Sequence, residues 1–238
     1  ALILGAVLVD GKYSDNVVTG ASSHYCTAER QFRMPLEHGN QRPPSAQMTA
    51  TAAGAMLISS EAEPAKSQTD EAGRLVDLKR VRVESGTIGK VIDPGVKDAN
   101  QMGSAMAPAA VDTILNHLED TGRGMDYYDA VMTGDLGFIG REIVEAFLED
   151  AGVERSVIER VYDDCGAMIY APDREKNSGG SGCGCSASVF CGYLYKNMRT
   201  GKIRRALIIS TGALLSTISP KQGESIPGIA HAVSLKAE

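Results

Sequence analysis

Residues 179–186, Gly179-Gly180-Ser181-Gly182-Cys183-Gly184-Cys185-Ser186, constrain this chain more than any other stretch. Glycine-rich backbone here opens a helical pattern with Ala187, Phe190, Cys191, Leu194 and Met198 on its apolar face. Two apolar strands follow, one over Arg205 to Ala213 and one closing on Ser225-Ile226-Pro227-Gly228-Ile229-Ala230-His231-Ala232-Val233. Backbone N–H groups in such a loop can hold an anion or a developing oxyanion, and the helix dipole favours negative charge there. Strand, loop, helix and strand in this order belong to an α/β fold with a layered sheet.

The rest of the chain keeps that alternation. Leu2, Gly5, Ala6 and Val9 lie on one helical face. That helix starts mid-pattern with no capping residue, so the chain reads as a fragment of a longer protein. Asn16 to Ala21 reads as a buried strand, with Ser22-Ser23-His24 at its end. A polar, basic loop follows, carrying Arg30, Arg33 and Arg42. Thr49 to Ser60 reads as a small-residue strand, and Leu78 to Glu84 alternates like a half-exposed one. Its charged run, Lys79-Arg80-Val81-Arg82, reads as a solvated strand face. Ser104 is placed to cap a helix running to about Glu119. Tyr128 to Thr133 reads as a short buried strand, Gly134 to Gly137 as a loop and Gly140 to Gly152 as a helix. Met168 to Tyr170 reads as a short strand. His231 alternates with Ile229 and Val233 and so points with them into the core. His38 and His117 read as surface residues.

Composition excludes several classes. Lys and Arg number 24 against 30 Asp and Glu, and no basic block carries interleaved aromatics. Nucleic acid is therefore not an expected partner. No apolar run is long enough to cross a bilayer. The chain has no Trp and only 4 Phe, so its core must be aliphatic. The five cysteines are an odd set without a secretory leader, which suits reduced thiols. Cys183, Cys185 and Cys191 lack the paired spacing and nearby His of a zinc site. No metal site and no cofactor are expected.

Long motifs carry a resemblance. Ser22-Ser23-His24, Ala28-Glu29-Arg30-Gln31-Phe32-Arg33, Gly39-Asn40-Gln41-Arg42-Pro43-Pro44, Ser181-Gly182-Cys183-Gly184-Cys185-Ser186 and the run from Glu224 to Ala232 resemble the stage V sporulation protein AD family. That family is thiolase-like and related to ketoacyl synthase III. The resemblance implies a layered αβαβα fold of two similar halves. Residues 1–95 would be the C-terminal part of the first half, and residues 96–238 the second half. It further implies binding of pyridine-2,6-dicarboxylic acid (dipicolinic acid) or its calcium complex, in support of uptake into the developing spore. The expected partners are membrane proteins of the same sporulation operon and a second copy of the chain. The expected location is the forespore cytoplasm, against the spore inner membrane.

Condensing enzymes of this superfamily need a nucleophilic Cys, with a His and an Asn that polarise a thioester carbonyl. The Cys position lies upstream of Leu2. The His position falls in Met132-Thr133-Gly134-Asp135-Leu136-Gly137, which has no His. Cys183 stands where the resemblance puts the Asn. The expectation is a binding protein that is not an enzyme. The candidate ligand contacts are Ser22, Ser23 and His24 at a strand end, and Gly182, Cys183 and Gly184 in the glycine loop. Arg30, Arg33 and Arg42 could grip carboxylates bidentately. Asp15 and Asp135 could meet a calcium ion carried with the ligand. Two alternatives stay open: an acyltransferase whose nucleophile lies upstream, and a scaffold subunit with no small-molecule ligand.

Overall fold

The computed structural model describes residues 1–26, 43–61, 66–69, 75–170, 178–216 and 218–238. In chain order the first elements are α1 (Leu2–Asp10), β1 (Asn16–Ser23), β2 (Met48–Thr49), β3 (Ala52–Ser59), β4 (Lys66–Thr69), β5 (Leu75–Leu78) and β6 (Val81–Ile88). There follow α2 (Met102–Thr121), β7 (Ala130–Thr133), α3 (Gly137–Asp150), α4 (Arg155–Val161), β8 (Tyr162–Asp164) and α5 (Cys165–Ile169). The last are β9 (Gly180–Ser181), α6 (Cys183–Val189), α7 (Tyr195–Arg199), β10 (Arg205–Ala213) and β11 (Gly228–Ala237).

A five-stranded sheet runs in the order β6, β11, β10, β7, β8. The β10–β7 and β7–β8 pairs are parallel, whereas β11 is antiparallel to both its neighbours. The period of two along β10 sorts its side chains between two cores. Leu207 and Ile209 pack with Ile114, Val144 and Leu148 of α2 and α3. Ala206 and Ile208 pack with Leu194 and Met198 on the opposite face. Burial on both faces explains why this strand is a continuous apolar run. Beyond α6 lies a second sheet, the antiparallel pair β1–β3. Helices α1 and α6 occupy the layer between the sheets, since Gly5 sits on Thr19 and Ile58, and Gly54 sits on the Ala187 backbone. The fold is therefore layered α/β, as expected from the sequence.

β6 is hydrogen-bonded to β11 in the five-stranded sheet. Several local expectations differ from what is observed. Ser104 lies inside α2, which begins at Met102 after a short turn that Asp98 caps through Asn100 N. The strand expected over Leu78 to Glu84 breaks at Lys79 and Arg80, whose N–H groups bond to the carbonyls of Arg199 and Glu238. Residues 168–170 are not a strand. They end α5, because the Asp164 carboxylate caps that helix through Ala167 N. β1 is not buried throughout: Val18 and its partner Leu57 are exposed on the outer face of the pair. The helix expected from Gly140 begins three residues earlier, at Gly137.

His117 is not a surface residue. It is wholly buried, with Thr87 Oγ1 2.8 Å from Nδ1 and the Tyr128 hydroxyl 2.8 Å from Nε2. Its spacing from Ile114 and Ala110 puts it on the apolar face of α2, the signal that a lone polar residue obscured. Burial, then the charge of Arg123, lowers its pKa below the usual histidine value. Folding thus favours the neutral ring, so its contribution is complete above the unfolded pKa of about 6.5 and is lost as pH falls through the lower folded value. His117→Ala is expected to cost about 3 kcal/mol at pH 8, from the hydrogen bonds lost to Thr87 and Tyr128 and a cavity. Urea melts at pH 8 and pH 5 check this, because the difference from the parent should shrink in acid.

Candidate functional site

The ends of β1, β7 and β10 meet the glycine loop before α6. β9 carries that loop in by pairing with β2, Met48 beside Gly180 and Thr49 beside Ser181. Gln47 Nε2 donates to the Gly180 and Asp135 carbonyls, each at 2.8 Å, and so ties the loop to the end of β7. Gly182 has φ +110°, a conformation in which side chains are strained.

Six of the sequence candidates come together here: Ser22, Ser23, Asp135, Gly182, Cys183 and Gly184. Asp135 Oδ1 accepts from Thr211 Oγ1 at 2.8 Å, and Oδ2 accepts from Gly182 N at 2.8 Å. Ser23 Oγ accepts from Gly184 N at 3.0 Å and donates to the Ala50 carbonyl at 2.6 Å. The Cys183 thiol donates to the Ser22 carbonyl at 2.9 Å. Two N–H groups expected to face a ligand therefore have partners inside the protein. Close packing of β1 on the loop is the reason: Ser23 comes near enough to serve as acceptor for Gly184. Ser22, His24 and Cys183 are the exposed members of this edge.

The other candidates divide differently. His24 follows Ser23, and its Nδ1 accepts from Cys26 N at 3.0 Å. Asp15 precedes the opposite end of β1, about 26 Å from Ser23 at the rise of an extended strand. It is not part of this constellation. Arg30, Arg33 and Arg42 lie outside the described residues, as does His38. His231 is half-buried on β11, paired with Ser210 on one side and Ile88 on the other, and its Nδ1 accepts from Gly89 N at 3.2 Å.

Sequence reasoning missed the residues that hold Asp135 in place. Thr211 lies in an apolar strand, just before Gly212. Asp164 ends β8 and is wholly buried. Its Oδ2 accepts from Thr133 Oγ1 at 2.7 Å and Leu136 N at 2.9 Å, and its Oδ1 from Gly137 N at 2.8 Å and Ala167 N at 3.0 Å. Burial pushes its pKa up to about 7, although the donors pull the other way. The thiols of Cys165 and Cys185 are also raised well above the ordinary range, again by burial, which suits packing residues and not nucleophiles. Among the described residues no three His, Cys, Asp or Glu side chains cluster as metal ligands would. Among the same residues no helix is long and apolar enough to cross a membrane.

The site can thus place an acidic side chain, a thiol and a serine backbone at one sheet end. The fold has structural neighbours among thiolase-like condensing enzymes. A tetronic acid condensing enzyme matches 99% of this chain and 64% of its own, at 14% identity and a TM-score of 0.49. A 3-oxoacyl-(acyl carrier protein) synthase III from Pseudomonas aeruginosa PAO1 matches 99% of this chain and 62% of its own, at 13% identity and a TM-score of 0.49. Neither likeness bears on the chemistry of this chain. The curated stage V sporulation protein AD of Bacillus subtilis (strain 168) is 43% identical over 230 residues, which is 97% of this chain. The chain spans 62% of the length of that relative. The family model described as stage V sporulation protein AD matches residues 1–236. This chain belongs to the stage V sporulation protein AD family.

Proposed function

We propose that this sporulation protein binds dipicolinic acid, as the free dianion or its calcium complex, and supports its uptake into the developing spore without catalysis. One observation carries the non-catalytic part. Where a condensing enzyme needs hydrogen-bond donors for an enolate or oxyanion, Asp135 presents a carboxylate already bonded to Gly182 N. The thiol of Cys183, in the place of a carboxamide, hydrogen-bonds to the Ser22 carbonyl.

The same carboxylate bears on the form of the ligand. A calcium complex brings a cation that oxygen ligands such as the Asp135 carboxylate favour. The calcium complex is therefore the preferred form, with Ser22, His24 and Cys183 at the open edge. In this reading the protein acts as a homodimer with membrane proteins of the same operon, at the forespore side of the inner membrane.

Calorimetric titration with dipicolinate, with and without calcium, tests the reading. The samples are this chain and the full-length Bacillus subtilis relative. Saturable heat that is stronger with calcium is expected, and Asp135→Asn should weaken the calcium-dependent part roughly tenfold. Absence of heat from a cooperatively melting relative would remove the ligand. Turnover of acyl-CoA substrates would instead restore the acyltransferase.

A further inference from the structure

We propose that the end of the five-stranded sheet opposite the candidate site is a docking surface for an anionic phospholipid bilayer. Arg82, Lys236 and Arg205 are directly opposed across β6, β11 and β10, so three cations stand side by side on one face. Like charges directly opposed across strands are destabilising, yet the fold keeps all three. Glu238 partly offsets the crowding, at 3.4 Å from Arg82 and 3.8 Å from Lys236. Arg205 lies over the Tyr127 ring, 4.2 Å from its centroid.

Adjoining segments add more positive charge to the same rim. Ala237 N donates to the Arg204 carbonyl at 2.7 Å, and Lys79 N to the Arg199 carbonyl at 2.7 Å. Gly201 lies beside the Lys79 side chain, which brings Lys202 to the same edge. Lys79, Lys202 and Arg204 are exposed, and among the described residues none has a carboxylate within ion-pair distance. The neighbouring Asp129 carboxylate is turned to the backbone N–H groups of Arg204 and Arg205. All this sits on a chain whose formal net charge is -6. The charge is segregated, and that gives the molecule a preferred orientation in a negative field.

The chemistry of the rim favours headgroups over other polyanions. Interfaces between proteins have an apolar, aromatic core from which Lys is depleted. The exposed side chains at residues 79–82 and 199–205 are polar or charged. Single-stranded nucleic acid is held largely by stacking on free aromatics, and the Tyr127 ring already stacks with Arg123 and Arg205. A bilayer needs only several long cationic side chains at one edge.

Cosedimentation of the chain with vesicles decides the matter and is independent of any dipicolinate affinity. At low salt the chain should pellet with phosphatidylcholine vesicles containing phosphatidylglycerol, and should remain in solution with phosphatidylcholine alone. Raising the salt should release it. Neutralising Lys79, Lys202 and Arg204 together to Ala should weaken binding by roughly 100-fold. The matched change of Lys12, Lys97 and Lys221 to Ala should alter it far less. Absence of anionic-vesicle binding, or equal loss in both triple variants, would overturn the proposal. So would duplex DNA or polyglutamate binding as tightly as the vesicles.

Discussion

Gly184→Ala is expected to lower the melting temperature of this chain by roughly 10 °C. A Cβ at this position would stand 2.2 Å from the Ala52 carbonyl oxygen and 2.7 Å from both the backbone N and the Oγ of Ser23. Two of those atoms belong to backbone held in the β1–β3 pair, so no flexible side-chain end can swing away. Relief requires α6 to move off β1. That movement breaks the Gly184 N–Ser23 Oγ bond and leaves a buried donor without its acceptor. Together these effects cost about 3–5 kcal/mol. Gly192→Ala is the control, since a Cβ there meets nothing within 4 Å and the residue lies in a helical turn. Scanning calorimetry of the two variants gives the comparison. Equal melting temperatures would mean that β1 and the glycine loop are not in close contact, and the site as described would fail with it.

Asp164→Ala is expected to cost about 4 kcal/mol, through three backbone donors left without an acceptor and a lost bond from Thr133 Oγ1. Those donors are the N–H groups of Leu136, Gly137 and Ala167. Leu136 follows Asp135 directly, so the loss also loosens the carboxylate that holds Gly182. The pH dependence has a defined sign. Burial holds the folded pKa at about 7, above the unfolded value of about 3.9. Between these values the native state keeps a proton that the unfolded chain has lost. The group's stabilisation is therefore largest below about pH 4, declines as pH rises to about 7, and is level above that. Three pK units correspond to about 4 kcal/mol at most. The geometry can take the proton, because Thr133 Oγ1 lies 2.9 Å from the Tyr162 hydroxyl and can donate there while accepting from Asp164. Urea melts of parent and variant at pH 5 and pH 8 measure it, with the larger difference expected at pH 5. A difference that grows with pH would show instead that the donor cage favours the carboxylate.

Much of the architecture was legible because its periodicity is long. The apolar run from Arg205 to Ala213 could only be a strand buried on both faces, and α2 shows its apolar face over five turns. Three residues such as 168–170 carry no period. Their state was decided by Asp164 from the preceding strand. Asp15 and Asp135 looked alike as acidic turn residues. Strand length separates them, since β1 carries Asp15 far from the loop whereas Asp135 follows β7 beside Thr211 and Gly182.

The sequence by itself determined the α/β class and the positions of the long elements. Those properties follow from local periodicity and residue identity. The tertiary structure alone decided that Gly182 and Gly184 donate inward, that His117 and Asp164 are buried polar hubs, and that six cations share one rim. Each of these depends on which strand ends meet across gaps of up to 161 residues. Hydrogen-bond partners and like-charge neighbours are set by sheet register, and register is a property of the assembled fold.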